Sequence, residues 1–412
     1  MMMKKDRFAD PLPARSELER ALGSVSRRLT AELQSPSEEP PDWQDFEWRV
    51  AMAVAVMQGT SALLARRLRW RGPGDWQSFL AEQREHGVLR ERRIRQLLER
   101  IDLAAREAGV PLVALKGSAL LHTGIYAAGE RPQSDIDLLC REQDLGAADR
   151  AIAALGYEAK GATWKHRVYD VADGHAEVRF GEHEANPLKI ELHTRIAERL
   201  PYSDVQVDVF PAEAQPGLNG YARPSALLNH LLLHVAGNLS WRGGRLIQVH
   251  DIARLCRQLP QTELADVAGD PRARWWKWPS LRIAERCFPG SVPDFLLART
   301  AEACPWHLRH WVDSRSFDEL SLVDPRHATL LGLAWATDLR EAVRYLGESL
   351  VPPESRLEGQ TMLIRKDPWS TGSDWQWLPR WQRVLHRLFR RPVRAPTLYS
   401  LHSAIAYHPA NS

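Results

Sequence analysis

The sequence predicts an α+β fold in which a compact α/β unit over residues 111–200 is set between helical regions on both sides. Three observations lead there. Apolar residues recur at three- and four-residue steps before residue 110 and again after Pro224, the period of a helix buried on one face. Between these regions the pattern changes to short apolar runs of strand length, separated by glycine, proline and asparagine turn signals. No internal repeat of roughly 20–50 residues and no long single-residue tract points to a solenoid or a low-complexity chain.

Taken in order, residues 1 to about 41 are charged and end in Gln34-Ser35-Pro36-Ser37-Glu38-Glu39-Pro40-Pro41. Such a composition buries too little apolar surface to offset its ordering entropy, and the segment reads as a mobile lead-in with one helix around Leu18–Leu33. Residues 42–110 form a helical region. Dense Ala, Val, Met and Leu from Trp48 to Leu68 predict a buried helix, and Val88, Leu89, Ile94, Leu97, Leu98, Ile101, Ala105 and Ala108 predict a second that Gly109 closes with a left-handed cap. Pro111–Leu115 reads as a buried strand, Lys116-Gly117-Ser118 as a turn, and Ala119–Ile125 as a helix. Asp135–Cys140 is the next strand. Asp144 is placed to cap a helix running to Leu155, closed by Gly156. Further strands are expected at Arg167–Val171, Ala176–Phe180 and Leu188–His193. From Pro224 the helical period returns with Leu227, Leu228, Leu231, Leu232 and Val235, giving a helical domain over residues 201–350. Pro352-Pro353 then opens a Trp-rich basic tail, 351–412, whose stretch Leu378–Arg391 separates an apolar from an arginine face. Docking of that apolar face on the helical domain is the favoured reading, and contact with a membrane surface, a protein or nucleic acid the other.

Composition narrows the function classes. The 412 residues carry 55 Lys plus Arg against 52 Asp plus Glu, so a net charge of +3 gives no bulk reason to expect a nucleic-acid binder. Cys140, Cys256, Cys287 and Cys304 lie too far apart for a CxxC metal pair and are too few for a disulfide framework, which fits a reducing compartment. The basic start lacks an apolar stretch after it, and nowhere do about 18 consecutive apolar residues occur. A cytoplasmic protein is expected. The 16 Trp against 9 Phe have no account at this level.

The residues that carry chemistry are Asp135 and Asp137. On a strand, positions i and i+2 emerge on one face, so two carboxylates are held side by side while Ile136 and Leu138 anchor the strand from behind. Carboxylates that close raise each other's pKa unless a cation lies between them, and hard oxygen donors suit Mg²⁺ or Mn²⁺ over Zn²⁺. If the pair holds such a cation, Asp137→Asn is expected to abolish turnover while leaving the melting temperature nearly unchanged or higher. Lys189, Glu191 and His193 alternate with Ile190 and Leu192, so Glu191 is available as a third acid, either a metal ligand or a proton acceptor. Gly117 and Ser118 open a helix and could cradle phosphate. Lys116, Arg131 and Lys189 are the basic candidates for the phosphates, with Arg131 preferred, and Ser134, beside the acidic strand, is a further nucleotide- or phosphate-binding candidate. His230 and His234 have the spacing that zinc helices use, but the intervening Leu231-Leu232-Leu233 favour packing or polar contacts near Asp251. His193 shares a face with Glu191, where substrate contact and a structural hydrogen bond are both open.

The order Gly117-Ser118, then Asp135-Ile136-Asp137-Leu138, then Glu191 resembles the signature of the DNA polymerase β-like nucleotidyltransferase superfamily. Leu115-Lys116-Gly117-Ser118-Ala119-Leu120, Arg131 to Leu139, Leu155-Gly156-Tyr157, Ile190-Glu191-Leu192-His193, His230–His234 and Asp251 are similar to a poorly characterised bacterial group within it, over roughly residues 48–256. The resemblance implies a small mixed sheet flanked by helices, Mg²⁺ (or Mn²⁺), and transfer of a nucleotide from an NTP to a hydroxyl-bearing acceptor with release of pyrophosphate. Two features depart from the superfamily pattern. The 16 residues between Ser118 and Asp135 exceed its typical spacing, and the third acid is Glu where Asp is commoner. The competing readings are a catalytically silent nucleotide-binding or scaffolding protein, and an RNA-directed transferase. The acceptor is open among small molecules, sugars, peptides, protein hydroxyls and RNA ends.

Overall fold

The computed structural model describes residues 12–172, 178–201, 203–241, 243–269, 275–322 and 328–350, positions 379, 381, 382 and 385, and residues 395–407. It is a mixed α+β structure with helical regions on both sides of the sheet. Helix α1 (Arg15–Gln34) buries Leu18, Leu22, Val25, Leu29 and Leu33 in the main core. Residues 15–34 are therefore part of the folded body and not a mobile lead-in. The average charge of the segment concealed a stripe recurring every three or four residues.

The single helix expected over 48–68 is two, α2 (Asp45–Gln58) and α3 (Ser61–Arg67), bent by 114°. Gly59 causes the break, since its φ of 66° ends α2 in the left-handed region that other residues adopt at a cost. No single helix among the described residues is long and apolar enough to cross a membrane, and α2 is largely buried within the protein. Helix α4 (Gly74–Glu107) runs for 34 residues, and Gly109 follows it at φ 67°. Trp43, Trp48, Trp70 and Trp76 cluster where α2 and α4 begin, with ring centroids 4.9–6.4 Å apart. A second group joins Trp275, Trp311 and Trp335. Much of the tryptophan content thus serves as large rigid core filling between helix ends.

The sheet contains β1 (Pro111–Ala114), β2 (Asp135–Leu139), β3 (Tyr157–Ala162), β4 (His166–Val171), β5 (Lys189–His193) and, after the separate hairpin β6 (Ile196–Leu200) and β7 (Ser203–Val207), β8 (Gly217–Asn219). Its order is β3-β4-β5-β2-β1-β8, with β2 parallel to β5, β1 parallel to β8 and the other pairs antiparallel. Short α5 (Lys116–Leu120) follows β1, and α6 (Leu145–Ala154) follows β2. Ile136, Leu138, Ile190, Leu192 and Tyr169 bury one face against α4 and α6. Val113, Leu115 and Leu139 join the larger core, which extends through α7 (Pro224–Ser240), α8 (Leu246–Gln258), α9 (Gln261–Ala268) and α10 (Lys277–Cys287).

The strand expected at Ala176–Phe180 is absent from its described part, 178–180. Strand β4 already has β3 and β5 as neighbours, and the Asn186 side chain bonds the Arg179 N–H and the Arg179 and Gly181 carbonyls instead. Most of Leu378–Arg391 lies outside the described residues. The helix Ala395–Ile405 packs on α2 through Leu398, Leu401 and Ala404, and Arg49 donates to the Tyr407 carbonyl at 2.8 Å.

Candidate active site

Strands β2 and β5 run parallel with Asp137 directly beside Glu191, so alternation places Asp135, Asp137, Glu191 and His193 on the face opposite the α4–α6 layer. Antiparallel β4 sets His166 across from His193. Lys116 stands at the turn out of β1 with φ 46°, an uncommon conformation for a residue with a side chain. That turn brings its ammonium to 2.7 Å from Asp137 Oδ1, and His193 Nε2 reaches the same oxygen at 3.1 Å.

The two aspartates differ in electrostatics. Burial and the charge of Asp137 push the Asp135 carboxyl up to about 6, with Lys116 only partly opposing. Burial also acts on Asp137, but Lys116 and His193 outweigh it and hold this carboxyl well below the usual range. With Asp137 replaced by Asn the largely buried Lys116 ammonium would lose its 2.7 Å partner, so on this geometry the melting temperature is expected to fall. The neighbouring His193 imidazole, against burial and the charge of Asp137, keeps Glu191 low. His166 Nε2 and His193 Nε2 each lie 3.7 Å from Glu191 Oε2. Three oxygen-donor side chains on one face, with the Asp135 charge unreconciled, fit a hard divalent cation.

The expected phosphate-binding residues are placed less simply. Ser118 is fully buried, and its Oγ accepts from Gln133 Nε2 at 2.7 Å. The Ser118 and Ala119 N–H groups donate to Leu115 O, and the Lys116 N–H donates to the Tyr221 hydroxyl. Gly117 is explained by packing, since a Cβ there would stand 2.4 Å from Arg131 Nη1 and 2.8 Å from Gln133 Oε1. Arg131 is held by Asp251, with Nη2 donating to Oδ2 at 2.7 Å and Nε reaching both oxygens. Ser134 is exposed, and its carbonyl accepts from Arg90. Lys189 is half exposed and lies 3.8 Å from Asp170.

His230 and His234 do not face a common ligand position. His230 Nδ1 lies 2.6 Å from the Tyr221 hydroxyl, while His234 Nε2 meets Asn238 and Gln248. Burial holds His230 well below its ordinary pKa. A cavity of about 800 Å³ lies elsewhere, lined by Asp204, Phe210, Arg223, Asn229 and Trp276 among others, and includes none of the expected site residues.

Sequence reasoning missed Arg90, His166 and Arg245. Buried Arg90 on α4 donates to the carbonyls of Gln133, Ser134, His183, Asn186 and Pro187, clamping the approaches to β2 and β5. Nothing in a helix pattern marks such a role. His166 could have been found by pairing the Arg167–Val171 strand antiparallel to Leu188–His193. Arg245, before α8, donates through Nε to Met57 O, and its charge is near enough to Asp135 to lower that carboxyl's pKa.

No curated protein matches the chain. Among solved structures, it has a likeness to the antibiotic-resistance factor ANT(2'')-Ia in its solution structure, at 14% identity and a TM-score of 0.29, covering 43% of this chain and 90% of that one. Residues 44–289, more than half of the chain, match the family described as uncharacterised nucleotidyltransferase, and the chain belongs to that family.

Proposed function

We propose that the protein transfers a nucleoside monophosphate from an NTP to a hydroxyl-bearing acceptor, with release of pyrophosphate, in a reaction dependent on Mg²⁺ or Mn²⁺. The observation that carries this reading is the gathering of Asp135, Asp137 and Glu191 on one sheet face. These three would hold the cation, which when bound neutralises phosphate charge and supports the attacking and leaving oxygens. The acceptor oxygen bonds to the α-phosphorus as the bond to the pyrophosphate oxygen breaks, and Glu191 accepts the hydroxyl proton. Lys116, 2.7 Å from Asp137, would exchange that carboxylate for a phosphate oxygen. Gly117 and Arg131 support that turn from behind, and Arg245, whose charge acts on Asp135, is a further cation for an anion.

Ser118, already bonded to Gln133, acts in this reading by fixing the strand approach, since the same Gln133 amide donates to Asp135 O at 2.6 Å. A catalytically silent nucleotide binder is the second reading, favoured by the Lys116–Asp137 pair in the place a cation would take. The deciding experiment incubates the purified protein with each NTP, Mg²⁺ and a panel of hydroxyl acceptors and follows pyrophosphate. Release that disappears in Asp137→Asn supports transfer. NTP-induced thermal shifts without pyrophosphate support the silent binder.

A further inference from the structure

We propose that His166, Glu191 and His193 bind a borderline transition-metal dication of the zinc and cobalt class, at a position distinct from the all-oxygen site assigned above to Mg²⁺. The proposal shares Glu191 with the nucleotidyltransferase reading and rests on it no further. His166 comes from β4 and the other two from β5, and the sheet register fixes all three on one face. Their donor atoms lie within 4.8 Å of one another, with both Nε2 atoms 3.7 Å from Glu191 Oε2. That separation is too long for a hydrogen bond. It is close to the roughly 3.4 Å expected between two donors each about 2.0–2.1 Å from a tetrahedral ion, so small side-chain rotations suffice.

A second observation points the same way. Among the described residues His166 Nδ1 is buried without a hydrogen-bond partner, and Nε2 stands 3.7 Å from Glu191 Oε2, beyond hydrogen-bond reach and so uncommitted to the fold. A histidine satisfied by the fold alone would have at least one such partner. Two imidazoles and one carboxylate prefer zinc, cobalt and their neighbours over Mg²⁺, which favours oxygen donors and retained water. To ligate through Nε2, His193 gives up its contact with Asp137 Oδ1, 3.1 Å away, which keeps its ion pair with Lys116, and the fourth position is left to water. Glu191 is partly exposed, which gives the ion a route in from solvent.

The test titrates metal-stripped full-length protein with Co²⁺ in excess Mg²⁺ and follows the visible ligand-field bands. One equivalent should produce bands that Zn²⁺ abolishes, and Zn²⁺ should raise the melting temperature. His166→Phe should weaken Co²⁺ binding by about tenfold or more, with His166→Cys restoring most of it. Melting in EDTA shows that both variants are folded, and His166 is the choice because His193 is buried against Asp137. Absence of bands, or bands unaltered in His166→Phe, overturns the proposal. Thermal shifts by Mg²⁺ and NTP in the same samples separate the two readings. If they persist without Co²⁺ binding, only the transition-metal site falls. If Co²⁺ binds in the His166-dependent way and no NTP has any effect, the metal site stands and the nucleotidyltransferase reading falls.

Discussion

Two buried carboxylate–cation pairs lie near one another in this protein, and they are built differently. Asp251 has no exposure and is saturated, with Arg131 bonding both oxygens and the Tyr126 O–H donating to Oδ1 at 2.8 Å. Asp137 is also buried, but its partners are a flexible lysine and a histidine, and two further carboxylates stand beside it. A planar arginine fork fixes geometry, whereas an ammonium on a four-carbon stem leaves it readily. The first pair holds loop to helix; the second retains charge that a ligand could use. Arg131, the basic residue that sequence reasoning preferred for phosphate, belongs to the first.

Four substitutions sharpen or break this contrast. The largest effect should come from Asp137→Asn, with pyrophosphate release falling about a thousandfold or more. The same variant should melt several degrees lower in EDTA, through the stranded Lys116. An unchanged melting temperature would show that the ion pair contributes nothing. Next, Asp251→Asn should cost about 3–5 kcal/mol in urea denaturation, because it leaves the Arg131 charge buried without its partner. Turnover per folded molecule should survive, and its loss would place Asp251 in the reaction. Gly117→Ala should cost about 1–3 kcal/mol by overpacking against Arg131 and Gln133, measured the same way.

The smallest effect is expected from Asp135→Asn, a rise of a few degrees at pH 7.5 in EDTA. An acid whose pKa is raised on folding costs stability once ionised in both states. That cost is full above pH about 6 and gone below about 4. The gain in the variant should therefore shrink as the pH falls through this window, and a constant gain would refute the assigned cause.

The fold was legible where burial is one-sided and regular. Strands β2 and β5 announced themselves by strict alternation, and α4 by its apolar stripe. Strand β3 did not, because only Tyr157 among its six residues is buried and the edge offers no alternation. Helix α1 was visible, but its place in the core was not, since charged neighbours masked the stripe at Leu18, Leu22 and Val25. The three acids could be named because strand period dictates which side chains share a face. The partners of Lys116, Ser118 and Arg131 could not. Those contacts join residues up to 120 positions apart, and pairing across such separations is set by packing that a local pattern does not encode.

Arg90 ties together two otherwise unrelated stretches of chain. Its guanidinium takes main-chain oxygens at 133 and 134 on one side and at 183, 186 and 187 on the other, and its Nε lies 3.4 Å from the Glu182 carboxylate. One arginine on a long helix thus holds the approaches to β2 and β5 in step, and with them the spacing of the acids.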